Sequence, residues 1–83
     1  MQERHPCDCC GFLTLGARGT YEICPVCFWE DDVLENPEIP GGANAVSLRE
    51  AQASYRRIGA CEARFLDHVR APRSEEHPPR LRS

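Results

Sequence analysis

The sequence lacks any apolar run long enough to cross a membrane, which takes about 18 residues. It also lacks an apolar leader, because the opening residues MQERHPC are polar and run directly into the first cysteine. We therefore expect a cytoplasmic protein. In that compartment thiols stay reduced, and clustered cysteines hold a metal more often than they form disulfides.

Motifs that carry known chemistry are also missing. The sequence contains no Ser/His/Asp arrangement, no H-E-x-x-H motif and no glycine-rich phosphate loop. The acids at 30–32 stand in a proline-containing segment, where a run of carboxylates is usually a solvated surface. The sequence therefore predicts a protein that is not an enzyme.

The chain is too short to build a large core. Its 83 residues suit one small domain, which buries only about 60–65% of the surface that the unfolded chain exposes. A core of this size is marginal, so a covalent or metal crosslink is expected to support it. The six cysteines are the candidates for that crosslink.

Lysine is absent altogether, and the charge is unevenly divided. Residues 1–42 carry two arginines against eight acids, a net charge of −6, whereas residues 43–83 carry eight arginines against five acids, a net charge of +3. Affinity for nucleic acids comes mainly from cationic contacts with phosphates. The acidic half therefore favours a basic protein as the partner over a nucleic acid.

Four of the six cysteines form two C-x-x-C pairs. Cys7 and Cys10 stand in CDCCG, where Gly11 follows the pair, and Cys24 and Cys27 stand in CPVC. Zinc ribbons bind one Zn²⁺ tetrahedrally through two such turns, and a short hairpin spans the thirteen residues between the pairs. The sequence predicts one Zn²⁺ per chain, held by these four cysteines.

Other uses of these sulfurs stay open. A disulfide framework is disfavoured because no secretion signal is present. Iron in a rubredoxin-like site is disfavoured because Phe28 stands where a second glycine is expected. A thioredoxin-type redox pair at CPVC is disfavoured, because that chemistry needs the motif to open a helix within a βαβ unit and a hairpin is predicted before it here.

Two cysteines and three histidines lie outside the predicted ligand set. Cys9 and Cys61 are interpreted as small buried residues, although Cys9 could replace Cys10 as a ligand and Cys61 could pack near Cys9. His5 lies beside the first pair, but four sulfurs already complete the coordination shell. His68 is interpreted as a helix surface residue, and His77 falls in the C-terminal tail.

The first half of the chain has the composition of a β-hairpin. Residues 12–15 and 20–23 are rich in β-forming side chains, and the link 16–19 contains two glycines. The segment 30–44 holds five acids, two prolines and two adjacent glycines, and the prolines disfavour a long helix or a central strand there. We predict a zinc-ribbon hairpin followed by an acidic linker.

The second half is predicted to form a two-helix hairpin. Ser47 and Glu50 form a capping box that starts the first helix, and Gly59 suits the position that ends it. Its apolar face is predicted to consist of Leu48, Ala51, Tyr55 and Ile58. A second helix is predicted over residues 61–70, with Phe65, Leu66 and Val69 facing inward, and Pro72 prevents its continuation. The fold class is thus a small metal-stabilised α+β domain over residues 1–72, with a disordered tail over 73–83.

Several blocks of the sequence resemble the cysteine-rich CPCC family of small bacterial proteins. The resemblance is carried by CDCCGFLTLGARGTYEICPVCFWEDD and GGANAVSLREAQASYRRIGACEARFLDHVR, within residues 7–72. Asp8 departs from the family motif, which has proline there, but the ligand spacing is intact. The resemblance implies a compact, stand-alone, metal-binding domain and brings no assigned reaction. An immunity or antitoxin role is an expectation for such a small protein.

Protein binding is the function that these patterns favour. CFWEDD places an aromatic residue beside the second cysteine pair and directly before three acids. Trp is enriched in the hot spots of protein interfaces, and acids steer the approach of basic partners. The predicted contact residues are Trp29, Glu30, Asp31, Asp32, Glu35 and Glu38. In the other interpretation of Trp29, its side chain only caps the core. The alternative function is nucleic-acid binding through Arg49, Arg56 and Arg57 of the helical half.

Overall fold

The fold consists of two cysteine turns, residues 7–11 and 24–28, followed by a helical half. The computed structural model describes residues 4–32, 36–40 and 42–78. Its elements are β1 (His5–Pro6), β2 (Leu13–Leu15), α1 (Leu48–Ile58), a first 3₁₀ helix (Ala63–His68) and a second 3₁₀ helix (Ser74–Glu76). The described residues therefore form a small α+β arrangement with a two-stranded antiparallel sheet, one α-helix and a cysteine cluster.

Strand pairing differs from the predicted hairpin. β2 pairs antiparallel with β1, with His5 opposite Leu15 and an irregularity between His5 and Pro6. Ile23 forms its own antiparallel bridge with Glu30. The prediction that residues 12–15 pair with residues 20–23 is wrong, because each strand pairs across the nearest cysteine turn.

The first cysteine turn closes the pairing of β1 with β2. The Cys7 N–H donates to the Phe12 carbonyl at 2.9 Å, and the Gly11 N–H donates to the Cys7 carbonyl at 2.8 Å. Gly11 has a φ of 84°, in the left-handed region that glycine adopts without steric cost. The turn is thus a tight local hairpin.

The second cysteine turn repeats the first. The Cys24 N–H donates to the Trp29 carbonyl at 2.9 Å, and the Phe28 N–H donates to the Cys24 carbonyl at 2.8 Å. Phe28, which takes the place of Gly11, has a φ of 72°. The residue that interrupts the glycine pattern in the sequence therefore still adopts the glycine-like backbone.

Helix α1 begins and ends as predicted. The Ser47 side chain accepts from the Glu50 N–H, and the Glu50 carboxylate accepts from the Ser47 N–H, so the predicted capping box is confirmed. Gly59 ends the helix at a φ of 86° and donates its N–H to the Tyr55 carbonyl. Ala51 is fully buried, and Tyr55 packs against the core from the same face.

The second helical element is shorter and tighter than predicted. It is a six-residue 3₁₀ helix in which Phe65 packs toward the core, whereas Leu66 is 47% exposed. A 3₁₀ helix has three residues per turn, so Phe65 and His68 share a face. Both rings lie against Phe28, with centroid distances of 4.6 and 5.1 Å. The inward position predicted for Leu66 is therefore wrong, and Val69 lies beyond the end of the helix in extended backbone.

Part of the predicted tail is folded. The described portion of residues 73–83 ends at residue 78 and includes the second 3₁₀ helix. Glu76 is 4% exposed, and its carboxylate accepts two hydrogen bonds from the Arg70 guanidinium at 2.8 and 2.9 Å. The His77 ring packs edge-on against Phe12 at 5.0 Å. The ion pair ties these residues to Arg70, and the ring contact places them against Phe12, next to β2. Composition alone does not reveal this arrangement.

The core is centred on the cysteines. It is formed by Cys7, Cys9, Leu15, Cys24, Val26, Cys27, Trp29, Ala51 and Cys61. Both cysteine turns and α1 contribute to this cluster, so the cysteines and the core occupy the same volume. Within the described residues, no helix has the length and apolar character needed to cross a membrane.

Candidate metal centre

The two cysteine turns bring four sulfurs together. The Sγ atoms of Cys7, Cys10, Cys24 and Cys27 all lie within 4.8 Å of one another. Cys7 and Cys27 are 3.5 Å apart, and Cys10 and Cys24 are 3.7 Å apart, so each close pair joins one turn to the other. These are the four residues that the C-x-x-C spacing singled out.

The spacing of the sulfurs fits a tetrahedral metal site. Four sulfurs at about 2.3 Å from one Zn²⁺ lie about 3.8 Å from each other, close to the distances seen here. A disulfide needs its sulfurs about 2.05 Å apart, and all six cysteines are free thiols. The donor set therefore suits a metal ion that prefers sulfur in tetrahedral geometry.

The site is closed to solvent on most sides. Cys7, Cys24 and Cys27 are at most 1% exposed, and Cys10 is partly exposed. Four thiolates this close would repel one another strongly in a buried environment without a cation between them. The chemistry of the cluster thus fits a divalent metal ion.

The four thiols shift one another's pKa values in opposite directions. Hydrogen bonding, from Cys10 first, lowers the pKa of Cys24. Hydrogen bonding with Cys10 raises the pKa of Cys7, and hydrogen bonding with Cys24 raises the pKa of Cys10. One thiolate is therefore stabilised by neighbours that keep their protons. A metal would displace those protons, because cysteine binds metals as the thiolate.

Cys9 and Cys61 lie beside the cluster rather than in it. Both are buried members of the core, at 8% and 1% exposure, and the Cys61 N–H donates to the Cys27 carbonyl at 2.9 Å. Burial, and then the nearby Cys9, raises the pKa of Cys61 to about 12. The structure groups Cys10 with the other three sulfurs and does not include Cys9. Both residues thus lie where small buried side chains are expected.

The histidines take other positions. His5 pairs with Leu15 in the sheet and lies outside the group of four sulfurs. His68 is exposed and stacks on Phe28, and His77 lies against Phe12. None of the three joins the sulfur cluster within the described residues.

The predicted contact surface is partly buried. Trp29 and Asp31 are each 1% exposed, so the prediction that they face a partner is wrong. The Trp29 indole fills the core beside the cysteines. The Asp31 carboxylate accepts from the Gly19 N–H at 2.6 Å and lies 3.6 Å from the Arg18 guanidinium. The Asp31 carboxylate therefore fixes the segment 16–19, which lies between the two cysteine turns.

The other acids of that prediction are closer to solvent. Glu30 and Asp32 are partly exposed, and the Asp32 carboxylate accepts from the Ala43 N–H at 3.0 Å. Glu38 is exposed and pairs with Arg49 at 3.0 Å. Glu35 lies outside the described residues. The acids that the structure describes in this segment are thus partly fixed to the domain and do not form one exposed surface.

The arginines of the alternative hypothesis lie on α1. Arg49 is in the first turn, and Arg56 and Arg57 are in the last turn, where their charges complement the helix dipole. All three are exposed. Arg49 is engaged with Glu38, so the basic face presented by the helix is smaller than the sequence suggests.

Two residues near the site carried no signal in the sequence. Asn44 binds the backbone of Glu30 through both its oxygen and its nitrogen, at 3.1 and 2.8 Å, as a neighbouring strand would. The Thr14 hydroxyl lies 3.0 Å from the Cys24 sulfur. Neither residue belongs to a recognisable motif. Their roles depend on contacts between segments at least ten residues apart, which spacing alone does not reveal.

Comparison with known proteins adds one finding. A family model described as "Cysteine-rich CPCC" matches residues 5–76, which includes both cysteine turns, α1 and the second 3₁₀ helix. No curated protein matches the chain.

Proposed function

We propose that this chain, which belongs to the cysteine-rich CPCC family, is a structural-zinc domain that serves as a protein-binding module. The observation that carries the metal assignment is the convergence of four buried or partly buried sulfurs within 4.8 Å. The ligands would be Cys7, Cys10, Cys24 and Cys27. A tetrahedral four-sulfur set suits Zn²⁺ or iron. We propose Zn²⁺, because four cysteines are a common ligand set of structural zinc sites.

The metal would have a structural role. Four protein ligands fill a tetrahedral shell and leave no position for water or substrate, which separates structural from catalytic zinc sites. Each cysteine turn contributes two ligands and also contributes to the core. A metal bound here would therefore join the two turns and stabilise the fold around them. On this basis we propose that the protein is not an enzyme.

Elemental analysis of protein purified without chelator tests the metal proposal. We expect one zinc per chain in the native protein and a loss of zinc and of helical circular dichroism in Cys24→Ser. Cys9→Ser and Cys61→Ser are matched controls, because each also removes a buried thiol from the same core. They should keep one zinc per chain. Native protein without metal, or loss of zinc in Cys9→Ser alone, would contradict the proposed ligand set.

The binding surface we propose is the exposed edge of the second cysteine turn. Tyr21 and Ile23 are large apolar side chains that are 56% and 47% exposed. Ile23 lies opposite Glu30 in the antiparallel bridge, so an apolar residue and an acid are neighbours there. This combination favours a protein partner with a basic surface, because apolar contacts supply affinity and acids steer association.

This surface replaces part of the one predicted from the sequence. The new surface leaves out Trp29 and Asp31 of the predicted contact residues, because both are buried. Glu30 is kept, together with the net charge of −6 over residues 1–42. An immunity or antitoxin role, in which the basic partner is a toxin, is the narrower form of this proposal.

A tagged pull-down with mass spectrometry, followed by charge reversal, tests the partner proposal. Glu30→Lys combined with Ile23→Ser should weaken binding to the captured partner while zinc content stays at one per chain. Arg56→Glu with Arg57→Glu is the matched control on the helical face, and should leave that binding intact. If the captured partner is a nucleic acid, and Arg56→Glu with Arg57→Glu weakens its binding while the first variant does not, the result would favour the alternative function through the arginines of α1.

A further inference from the structure

Thr14 places a hydroxyl group against one of the four clustered sulfurs. It is the middle residue of β2 and is 5% exposed. Its Oγ1 lies 3.0 Å from the Sγ of Cys24, which is fully buried. A buried hydroxyl without a partner is costly, so this contact accounts for a polar residue at an inward-facing strand position.

The direction of this hydrogen bond follows from metal binding. A cysteine bound to a metal is a thiolate and carries no proton. Its sulfur can then only accept, so the Thr14 hydroxyl must donate. Four thiolates around one divalent cation leave a net charge of −2 in a largely buried site, and a donor aimed at a sulfur stabilises that charge.

The side chain is held in place by the strand. Threonine is branched at Cβ, which restricts its χ1 angle. Its neighbour Leu15 is fully buried, so the strand is fixed against the core at this point. The hydroxyl is therefore presented to Cys24 in one defined orientation.

We propose that Thr14 is a positioning residue for the metal site, which orients the Cys24 thiolate and stabilises its charge. The inference rests on the proposed zinc site and assigns a residue outside the cysteine motifs to it. Groups that hydrogen-bond to metal ligands typically change metal affinity by about 10–100-fold when they are removed. Thr14 should therefore control how tightly the site holds its metal.

The test compares variants that separate the hydroxyl from the rest of the side chain. Thr14→Val removes the hydroxyl and keeps the shape, whereas Thr14→Ser keeps the hydroxyl. Zn²⁺ affinity is measured by competition with a chromophoric chelator, and the sulfur-to-metal charge-transfer band is measured after Co²⁺ substitution. Thr20→Val is the matched control, because Thr20 is exposed and is the other threonine of the chain.

We expect Thr14→Val to bind Zn²⁺ about 10–100-fold more weakly and to shift the Co²⁺ charge-transfer band. Thr14→Ser and Thr20→Val should stay close to the native protein in both measurements. Unchanged affinity and an unchanged band in Thr14→Val would overturn the inference. Native protein that binds neither metal would instead overturn the proposed zinc site, so the two failures are distinguishable.

A second pair of variants covers the case in which Thr14→Val does not fold. Thr14→Ala and Thr14→Ser both remove the methyl group, and only Ser keeps the donor. Weaker Zn²⁺ binding by Ala than by Ser would support the inference. Equal affinities for these two variants would overturn it.

Discussion

At the scale of single residues, the fifth position of each cysteine turn requires a left-handed backbone. Gly11 occupies it in the first turn and Phe28 in the second, with φ values of 84° and 72°. The left-handed region costs a residue with a Cβ about 1–2 kcal/mol. The Phe28 ring lies against Phe65 and His68, and these contacts offset the cost in the second turn. Backbone geometry therefore favours glycine in one turn, and side-chain packing favours phenylalanine in the other.

Gly11→Ala should lower the free energy of unfolding by about 1–2 kcal/mol. A Cβ added at Gly11 meets no atom within 4 Å, so the cost comes from the backbone conformation rather than from a clash. Chemical denaturation at saturating zinc measures it. Gly11→Asn is the control, because asparagine tolerates this region better, and it should lose less stability. An Ala variant as stable as the native protein would show that the turn relaxes to another conformation.

At the scale of elements, α1 is the one whose limits are encoded most locally. Ser47 and Glu50 bind each other's backbone N–H groups, and Gly59 ends the helix, so the signals lie within thirteen residues of sequence. These are short-range interactions whose residue types are diagnostic. The helix could therefore be predicted from the chain alone.

Ser47→Ala should destabilise the protein by about 1 kcal/mol, the usual cost of losing an N-cap. The side chain is 2% exposed and accepts from the Glu50 N–H at 3.0 Å, so the N–H would lose its partner. Thermal and chemical denaturation measure the loss. Glu50→Gln keeps a capping-box acceptor and should cost less than Ser47→Ala. Equal melting curves for Ser47→Ala and the native protein would contradict this role of the cap.

The strand pairing and the second helix are harder to predict from the sequence, each for its own physical reason. The β propensity of residues 12–15 indicates a strand there but does not indicate its partner. Three links could each close a hairpin, the two cysteine turns and the glycine-containing link 16–19, and the strands pair across the cysteine turns. The inward face of the second helix was predicted from a period of 3.6 residues per turn, whereas the 3₁₀ geometry places Phe65 and His68 together.

The four clustered cysteines were identified by local spacing. The burial of Trp29 was one of two interpretations that the sequence left open, because it depends on packing against distant segments.

At the scale of the whole molecule, the helical half contacts both cysteine turns through their backbone. The Gln52 side chain donates to the Asp8 carbonyl at 2.9 Å, in the first turn. The Cys61 N–H donates to the Cys27 carbonyl at 2.9 Å, and the Arg70 N–H donates to the Pro25 carbonyl at 3.2 Å, both in the second turn. The two turns are thus held by the helical half as well as by their own sulfurs.

Glu76→Gln should lower the melting temperature, because it weakens the pair that holds the C-terminal segment. Hydrogen bonding from Arg70 lowers the pKa of Glu76 to about 2, below its ordinary value of 4.5. A lowered pKa means that the stabilisation is complete above about pH 4.5, declines as the pH falls below that value, and is absent below about pH 2. The difference between variant and native protein should therefore be constant from about pH 8 to pH 5.5.

The exposed neighbour Glu75 supplies the control for this measurement. Glu75→Gln removes the same charge from the same 3₁₀ helix and should leave the melting temperature nearly unchanged. If Glu76→Gln and Glu75→Gln behave alike, the pair with Arg70 does not stabilise the folded C-terminal segment.

The central claim is that four sulfurs hold one metal ion at the centre of the fold. X-ray absorption at the zinc edge, on native protein purified without chelator, tests it most directly. The account predicts one zinc per chain with a shell of four sulfurs at about 2.3 Å. Protein that carries no metal, or a metal shell in which nitrogen or oxygen replaces one of the four sulfurs, would contradict it.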